Sequence, residues 1–163
     1  MIKSIEIRPA KIDDAKAIID VHYAAVHKTA ADYYDDNIRA AWSRTPDQIR
    51  YESMQSIILE QRERVLVACS DGSVLGFASL VPENCELRAV YVRPKAGCQG
   101  VGSQLLRAIE ALALSLNISE LNLKSSLNAQ AFYQQNSYIT VGDITHILNN
   151  GLEMSAVEMT KKL

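Results

Sequence analysis

Aromatic and sulfur-bearing side chains are scarce in this sequence. Of its 163 residues, two are Phe, one is Trp and three are Cys. Cys69, Cys85 and Cys98 are odd in number and lack metal-ligand spacing. No disulfide framework and no metal centre is expected, only the reduced thiols of a cytoplasmic protein. An excess of one charge is missing too: 17 Lys and Arg stand against 19 Asp and Glu, a net charge of −2. Without a basic stripe there is no footprint for nucleic acid. Every apolar run is broken well before the roughly 20 residues that a membrane span needs. MIKSIEIRP lacks the apolar core of a secretory leader. There are no repeats, no low-complexity tract and no linker. The expectation is one domain over 1–163, long enough to bury roughly two-thirds of its unfolded surface.

Hydrophobic periodicity then orders the chain. IEIRP (5–9) reads as a short strand stopped by Pro9. Ala15, Ile18, Ile19, His22, Ala25 and Val26 fall on one face of a helix. ADYYDDNIRAAW (31–42) reads as a short second helix. Thr45-Pro46-Asp47-Gln48 predicts a helix start, with Thr45 as cap and Pro46 in the first turn, and a helix running to about Gln61. RVLVACS (64–70) and SVLGFASLVP (73–82) are strands around the hairpin signal Asp71-Gly72. CELRAVYVRP (85–94) is a third strand. A helix over 101–117 carries the stripe Val101, Leu105, Ala108, Ile109, Leu112, Ala113, Leu116. A strand (120–126), a short helix (128–136) and a hairpin (about 138–148 and 152–161, joined by Asn149-Asn150-Gly151) complete the chain. The fold class is α+β, a layered domain with a mixed, mostly antiparallel sheet of about seven strands flanked by helices.

The strand, glycine loop and helix N-terminus at VRPKAGCQGVGSQLL (92–106) form a phosphate-binding arrangement. The first amides of a helix lack internal partners, the helix dipole adds positive charge, and glycine lets an anion approach the backbone. A nucleoside-triphosphate loop, G-x-x-x-x-G-K-S/T, fits Gly97 and Gly102 but has Ser103 where the lysine belongs. A dinucleotide fingerprint, G-x-G-x-x-G, fits Gly100 and Gly102 but ends on Leu105. The pyrophosphate of coenzyme A is the third candidate.

LRAVYVRPKAGCQGVGSQLL (87–106) resembles the acyl-CoA signature of the GNAT N-acetyltransferase superfamily, in which V-x-P leads to Q/R-x-x-G-x-G/A and a helix. LNAQAFYQQNSYITVG (127–142) is similar to a second block of that family, around Asn128, Phe132 and Tyr133. DVHYAAVHKTA, LVPENCELRAVYV and SLNAQAFY together resemble its YafP-like branch. The sequence departs from the pattern at three places. Gly97 stands where the family has Gln or Arg, Cys98 where it often has Gly, and Ser137 replaces the glycine before the last motif aromatic, Tyr138.

The resemblance implies direct transfer of acetyl from acetyl-CoA to an amine acceptor in a ternary complex. It implies that the backbone of Ala89, Val90, Tyr91 and Val92 pairs with the pantetheine arm. The loop residues Gly97, Cys98, Gln99, Gly100, Val101, Gly102 and Ser103 would hold the phosphates. Asn128 would bond the pantetheine or cap its helix, and Phe132 would belong to the cofactor site or to the core. Tyr133 is the expected general acid, a phenol that donates to the departing thiolate, or else a core aromatic. Glu86 is the candidate base, or an ion-pair partner of Arg88. It is expected to share a strand face with Arg88 and Val90, opposite Leu87 and Ala89. Glu83 is a weaker candidate.

Acceptor contacts are expected from Tyr33, Trp42 and His22, the last of which is either a catalyst or a hydrogen-bonded core residue. Tyr34 lies in the same segment. His27 is about 140° around the helix from His22, so the two make no metal pair. Asp32, Asp35 and Asp36 hint at a cationic acceptor, or are a solvated face. Cys98 at a helix start admits a covalent acetyl-cysteine route, although no His or carboxylate is placed to support it. A non-catalytic acyl-CoA sensor or accessory protein is the alternative function. A homodimer is the family expectation.

Overall fold

Seven strands form one sheet in the computed structural model, which describes residues 4–163. They are β1 (Glu6–Pro9), β2 (Arg64–Ser70), β3 (Ser73–Val81), β4 (Glu86–Val92), β5 (Glu120–Ser126), β6 (Ile139–Ile147) and β7 (Glu153–Lys162). Their order is β1-β2-β3-β4-β5-β7-β6. All neighbours run antiparallel except β4 and β5. Both hairpin signals hold. Asp71 and Gly72 take φ of 48° and 76°, the two positive values that a tight two-residue turn needs.

Five helices cover the sheet: α1 (Ala15–Ala24), α2 (Asp36–Trp42), α3 (Gln48–Glu60), α4 (Val101–Ser115) and α5 (Gln130–Gln135). The stripe of α4 buries Leu105, Leu106 and Ile109 against Leu80, Leu87, Leu121 and Met159. On the opposite face, Ile18 and Val21 of α1 pack on Val67 and Phe77. Each of these fully buried side chains contributes roughly 1.5–3 kcal/mol of transfer free energy.

Three helical expectations need correction. Residues 25–26 do not simply end the first helix, because Ala25–Thr29 form one π-helical turn beyond it. The second helix begins at Asp36 rather than 31, after Asp35 caps it by accepting from the Ile38 amide at 2.9 Å. The third begins at Gln48, with Asp47 as cap accepting from the Arg50 amide at 2.9 Å. An aspartate carboxylate is a stronger cap than a threonine hydroxyl, so Thr45 and Pro46 stay outside the helix.

The face expected for Glu86 also changes. Ala89 pairs with Ser79, but Leu87 pairs with Leu80, so Arg88 is an extra residue in β4. This β-bulge inverts the alternation. Leu87, Val90 and Val92 pack with the α4 core, while Ala89 and Tyr91 pack with the α1 core.

β3 approaches β4 closely enough to require glycine. A Cβ on Gly76 would stand 2.7 Å from the Tyr91 carbonyl oxygen and 3.1 Å from Leu105 Cδ1. Gly76→Ala is therefore expected to destabilise the fold by about 1–3 kcal/mol, an overpacking cost. Urea denaturation of the variant measures it, and an unchanged midpoint would contradict this packing.

Candidate active site

β4 and β5 meet at one point. Glu86 is in register with Asn122, and no further residue pair forms between them. The junction is stitched by Asn122, whose backbone amide and Nδ2 both donate to the Cys85 carbonyl at 3.0 Å. Beyond it the strands part. The β4 edge facing β5 has no strand partner there, and Ala89, Val90, Tyr91 and Val92 all line the cavity of about 1300 Å³ that opens between them.

The glycine loop closes one end of this cavity. Gly97, Cys98, Gly100, Val101, Gly102 and Ser103 line it. Among the described residues, no acceptor meets the amides of residues 98–103. Gln99 does not line the cavity; its Nε2 donates to the Lys95 carbonyl at 3.1 Å. Gly100 has φ of 80° and Cys98 has φ of 57°. The left-handed backbone at 98 explains why glycine suits that position, and Cys98 carries the strain of having a Cβ there. Ser137, the other departure from glycine, has φ of 71°.

The opposite wall comes from α5 and the 3-10 turn before it. Phe132 packs against the bare face of Gly102, where a Cβ would lie 3.3 Å from its ring. Tyr133 is buried and lines the cavity, and its hydroxyl has no hydrogen-bond partner among the described residues. Burial, and secondarily Tyr91, pushes its pKa above the usual tyrosine range. Asn128 is not the helix cap, since Ala129 takes that position. Its Oδ1 is buried with no protein partner, and the residue lines the cavity.

The third wall is aromatic. Trp42 lines the cavity beside Tyr91, ring centroids 6.3 Å apart. His22 sits behind both, edge-on to Tyr91 at 4.6 Å, and does not line the cavity. Its Nδ1 faces the Ser43 hydroxyl at 2.9 Å and Arg50 Nη2 at 3.2 Å. His27 Nε2 meets the Ser43 carbonyl oxygen at 2.7 Å. Burial above all, then the charges of Arg50 and His27, lowers the His22 pKa to about 3. The result is a half-buried histidine held neutral behind the wall, not a cavity residue.

Tyr33, expected at the acceptor pocket, stands 55% exposed and outside the cavity wall. Its neighbour Tyr34 turns inward. The Tyr34 hydroxyl donates to the Ser155 carbonyl at 2.7 Å and accepts from the Leu127 amide at 2.8 Å. Nothing in the sequence around 33–34 distinguishes the two tyrosines. Glu86 lines the cavity, with Oε2 accepting from Arg88 Nη2 at 3.2 Å. Among the described residues, no group of His, Cys, Asp and Glu is arranged to hold a metal, and no helix is long and apolar enough to cross a membrane.

A sheet splayed beside a glycine-led helix, with an exposed strand edge and an unpartnered phenol in the same cavity, defines an acyl-CoA-dependent transferase. The comparisons with known proteins agree. Residues 29–163 match the family described as "Acetyltransferase (GNAT) domain", and the chain belongs to that family. A spermidine N(1)-acetyltransferase from Thermoplasma acidophilum is 25% identical over 144 residues, covering 83% of this chain and 88% of that one. The crystal structure of a GCN5-related N-acetyltransferase from Rhodopseudomonas palustris has a TM-score of 0.88 at 27% identity, covering 100% of this chain and 98% of the other. The PaiA N-acetyltransferase of Thermoplasma acidophilum, solved with coenzyme A, has a TM-score of 0.77 at 24% identity and shares the fold over 98% of this chain and 99% of its own. The superfamily, its α+β fold and its acetyltransferase activity are as the sequence resemblance implied. The YafP-like branch is not singled out by these relatives.

Two outcomes follow from the geometry. Cys98→Gly is expected to stabilise the protein by about 0.5–1 kcal/mol, the left-handed strain less glycine's unfolded-state entropy; chemical denaturation reads the gain. His22 is neutral in the folded chain but charges in the unfolded one below about pH 6.5. Its contribution is therefore complete above that pH and is lost as pH falls toward 3, at roughly 1 kcal/mol per unit. His22→Asn should remove this slope between pH 6.5 and 4 in urea titrations, and an unaltered slope would mean that His22 charges freely in the fold.

Proposed function

We propose that the protein transfers acetyl from acetyl-CoA directly to an amine in a ternary complex, within a single domain spanning 1–163. The observation that carries this reading is the unpartnered Tyr133 hydroxyl in the wall of the same cavity as the bare amides of the glycine loop. The residues present fit the coenzyme. The orphaned Asn128 Oδ1 is an acceptor awaiting an N–H, such as a pantetheine amide supplies. The unpaired β4 edge offers Ala89–Val92 to the same extended arm. The free amides of 98–103 offer the phosphates a nest at the start of α4. Acetyl-CoA supplies an activated thioester when bound.

The chain's own groups do the rest. Tyr133 holds its proton because burial disfavours the phenolate, so it is a donor for the departing sulfur at any working pH. Glu86 is assigned the base. Its Oε2 is held by Arg88, and among the described residues Oε1 accepts from no protein group. Trp42 and Tyr91 supply an aromatic side to the acceptor's place. The non-catalytic sensor reading has no observation in its favour.

The free thiols of Cys69, Cys85 and Cys98 accord with a cytoplasmic location. The exposed Ile139, Val141 and Ile147 on the edge strand β6 accord with a homodimer.

Tyr133→Phe should bind acetyl-CoA with unchanged affinity by calorimetry and lose about 10²–10⁴-fold in kcat. In the unaltered protein, kcat should hold through pH 10 rather than fall as an ordinary phenol ionises. Normal turnover by the Phe variant would remove Tyr133 from the mechanism. Failure of the unaltered protein to bind acetyl-CoA would remove the reading itself.

A further inference from the structure

We infer that the acceptor is an amine that also carries a carboxylate, and that Lys124 is the residue that reads it. This inference rests on the acetyl-transfer reading above and names its substrate class. Formally charged side chains lining the cavity are Lys28, Arg88, Arg93 and Lys124 against a single carboxylate, Glu86. Among the described residues only Arg88 of the four is ion-paired within the chain, and Lys28 and Arg93 are set apart by their place. Lys28 belongs to the π-helical turn that packs on the 3-10 turn Pro94–Ala96, and Arg93 immediately precedes that turn. Both therefore sit at the phosphate end. Arg88 is held between Glu63, at 2.5 Å, and Glu86, at 3.2 Å.

Lys124 is left over. Among the described residues it forms no ion pair, and Glu158, its register neighbour on β7, does not come within ion-pair distance. Its position is set by register. Glu86 lies opposite Asn122 in a parallel pair, so Lys124, two residues on, is level with Arg88 at the base of the splay. From Arg88 to the end of β4 is four residues, roughly 13 Å of extended chain, before the glycine loop begins. The phosphates held there are too distant to neutralise Lys124.

Lys124 is exposed and faces an open cavity of mixed polar and apolar lining, and an ammonium without an ion-pair partner there raises the local concentration of anions and repels cations. The acids that hinted at a cationic acceptor do not reach the cavity. Asp35 caps α2, Asp36 pairs with Arg39, and neither these nor Asp32 line the wall. A polycation would meet Lys124 with like charge, whereas a carboxylate on the acceptor answers it. The acceptor's amine forms the C–N bond to the acetyl carbon and gives a proton to Glu86, the C–S bond breaks, and the sulfur leaves with the proton of Tyr133; the acceptor's carboxylate takes no part beyond binding.

Trp42 is the single tryptophan and lines the cavity, so its fluorescence reports occupancy. The test titrates the protein, saturated with CoA, with matched amines that differ in a carboxylate: ornithine and putrescine, lysine and cadaverine, phenylalanine and phenethylamine. Rates with acetyl-CoA are read on the same pairs. The carboxylate-bearing member should bind at least tenfold tighter in one or more pairs and weaker in none. Lys124→Gln should bring that ratio toward one while CoA affinity, measured by calorimetry, reports the donor site separately. Tighter binding of the carboxylate-free member, no Trp42 response to any carboxylate-bearing amine, or a ratio indifferent to Lys124→Gln would each overturn the inference. Loss of CoA binding in the unaltered protein would overturn the acetyl-transfer reading instead.

Discussion

Asn122 donates twice to one carbonyl, that of Cys85, and there the sheet divides. Parallel neighbours ordinarily pair along their length. Here the two strands are fastened once and released, which leaves a row of backbone groups on β4 without partners. Leaving such groups unmade is expensive in a dry interior, so the split is sustainable only as the wall of an open cavity that a ligand or water can enter. The extra residue at Arg88 turns β4 at the start of the split, and Gly76 lets β3 follow it closely. The cavity, the free strand edge and the placement of Tyr133 all depend on that one fastening.

The local signals in the sequence were legible where a residue has one physical use. Asp71-Gly72 can turn a hairpin in only a few ways, and Gly100 and Gly102 before an apolar stripe point to an exposed helix start. At 45–48 two caps compete in the sequence, and the carboxylate of Asp47 wins over the hydroxyl of Thr45. The face of Glu86 is not legible in the sequence, because a bulge leaves no mark in the alternation of ELRAVYV; it arises from register against β3. Tyr33 and Tyr34 are chemically the same residue, and only the path of the π-helical turn decides which is buried. Lys124 carried no signal at all, since its meaning lies in the absence of a counter-charge.

The two motif positions that lack glycine teach a related point. Cys98 and Ser137 both hold left-handed backbone. The family's glycines at these places are conformational, so their loss leaves the geometry standing at a modest energetic cost. Gly97, in contrast, replaces a side chain, and its φ of −63° is ordinary. What is lost there is a contact rather than a conformation, and the amides of 98–103 still stand without acceptors among the described residues.

One phenol oxygen ties three parts of the chain together. The Tyr34 hydroxyl holds the carbonyl of Ser155 on β7 and the amide of Leu127 just ahead of Asn128 and Tyr133. Any exchange of the stretch between α1 and α3 for one from another enzyme, made to redirect acceptor choice, would carry that joint with it. Residues 35–47 cannot be moved alone either, because the Ser43 hydroxyl faces His22 and the Ser43 carbonyl meets His27 on the elements before them; Tyr34 and Ser43 together moor the segment to the rest of the domain.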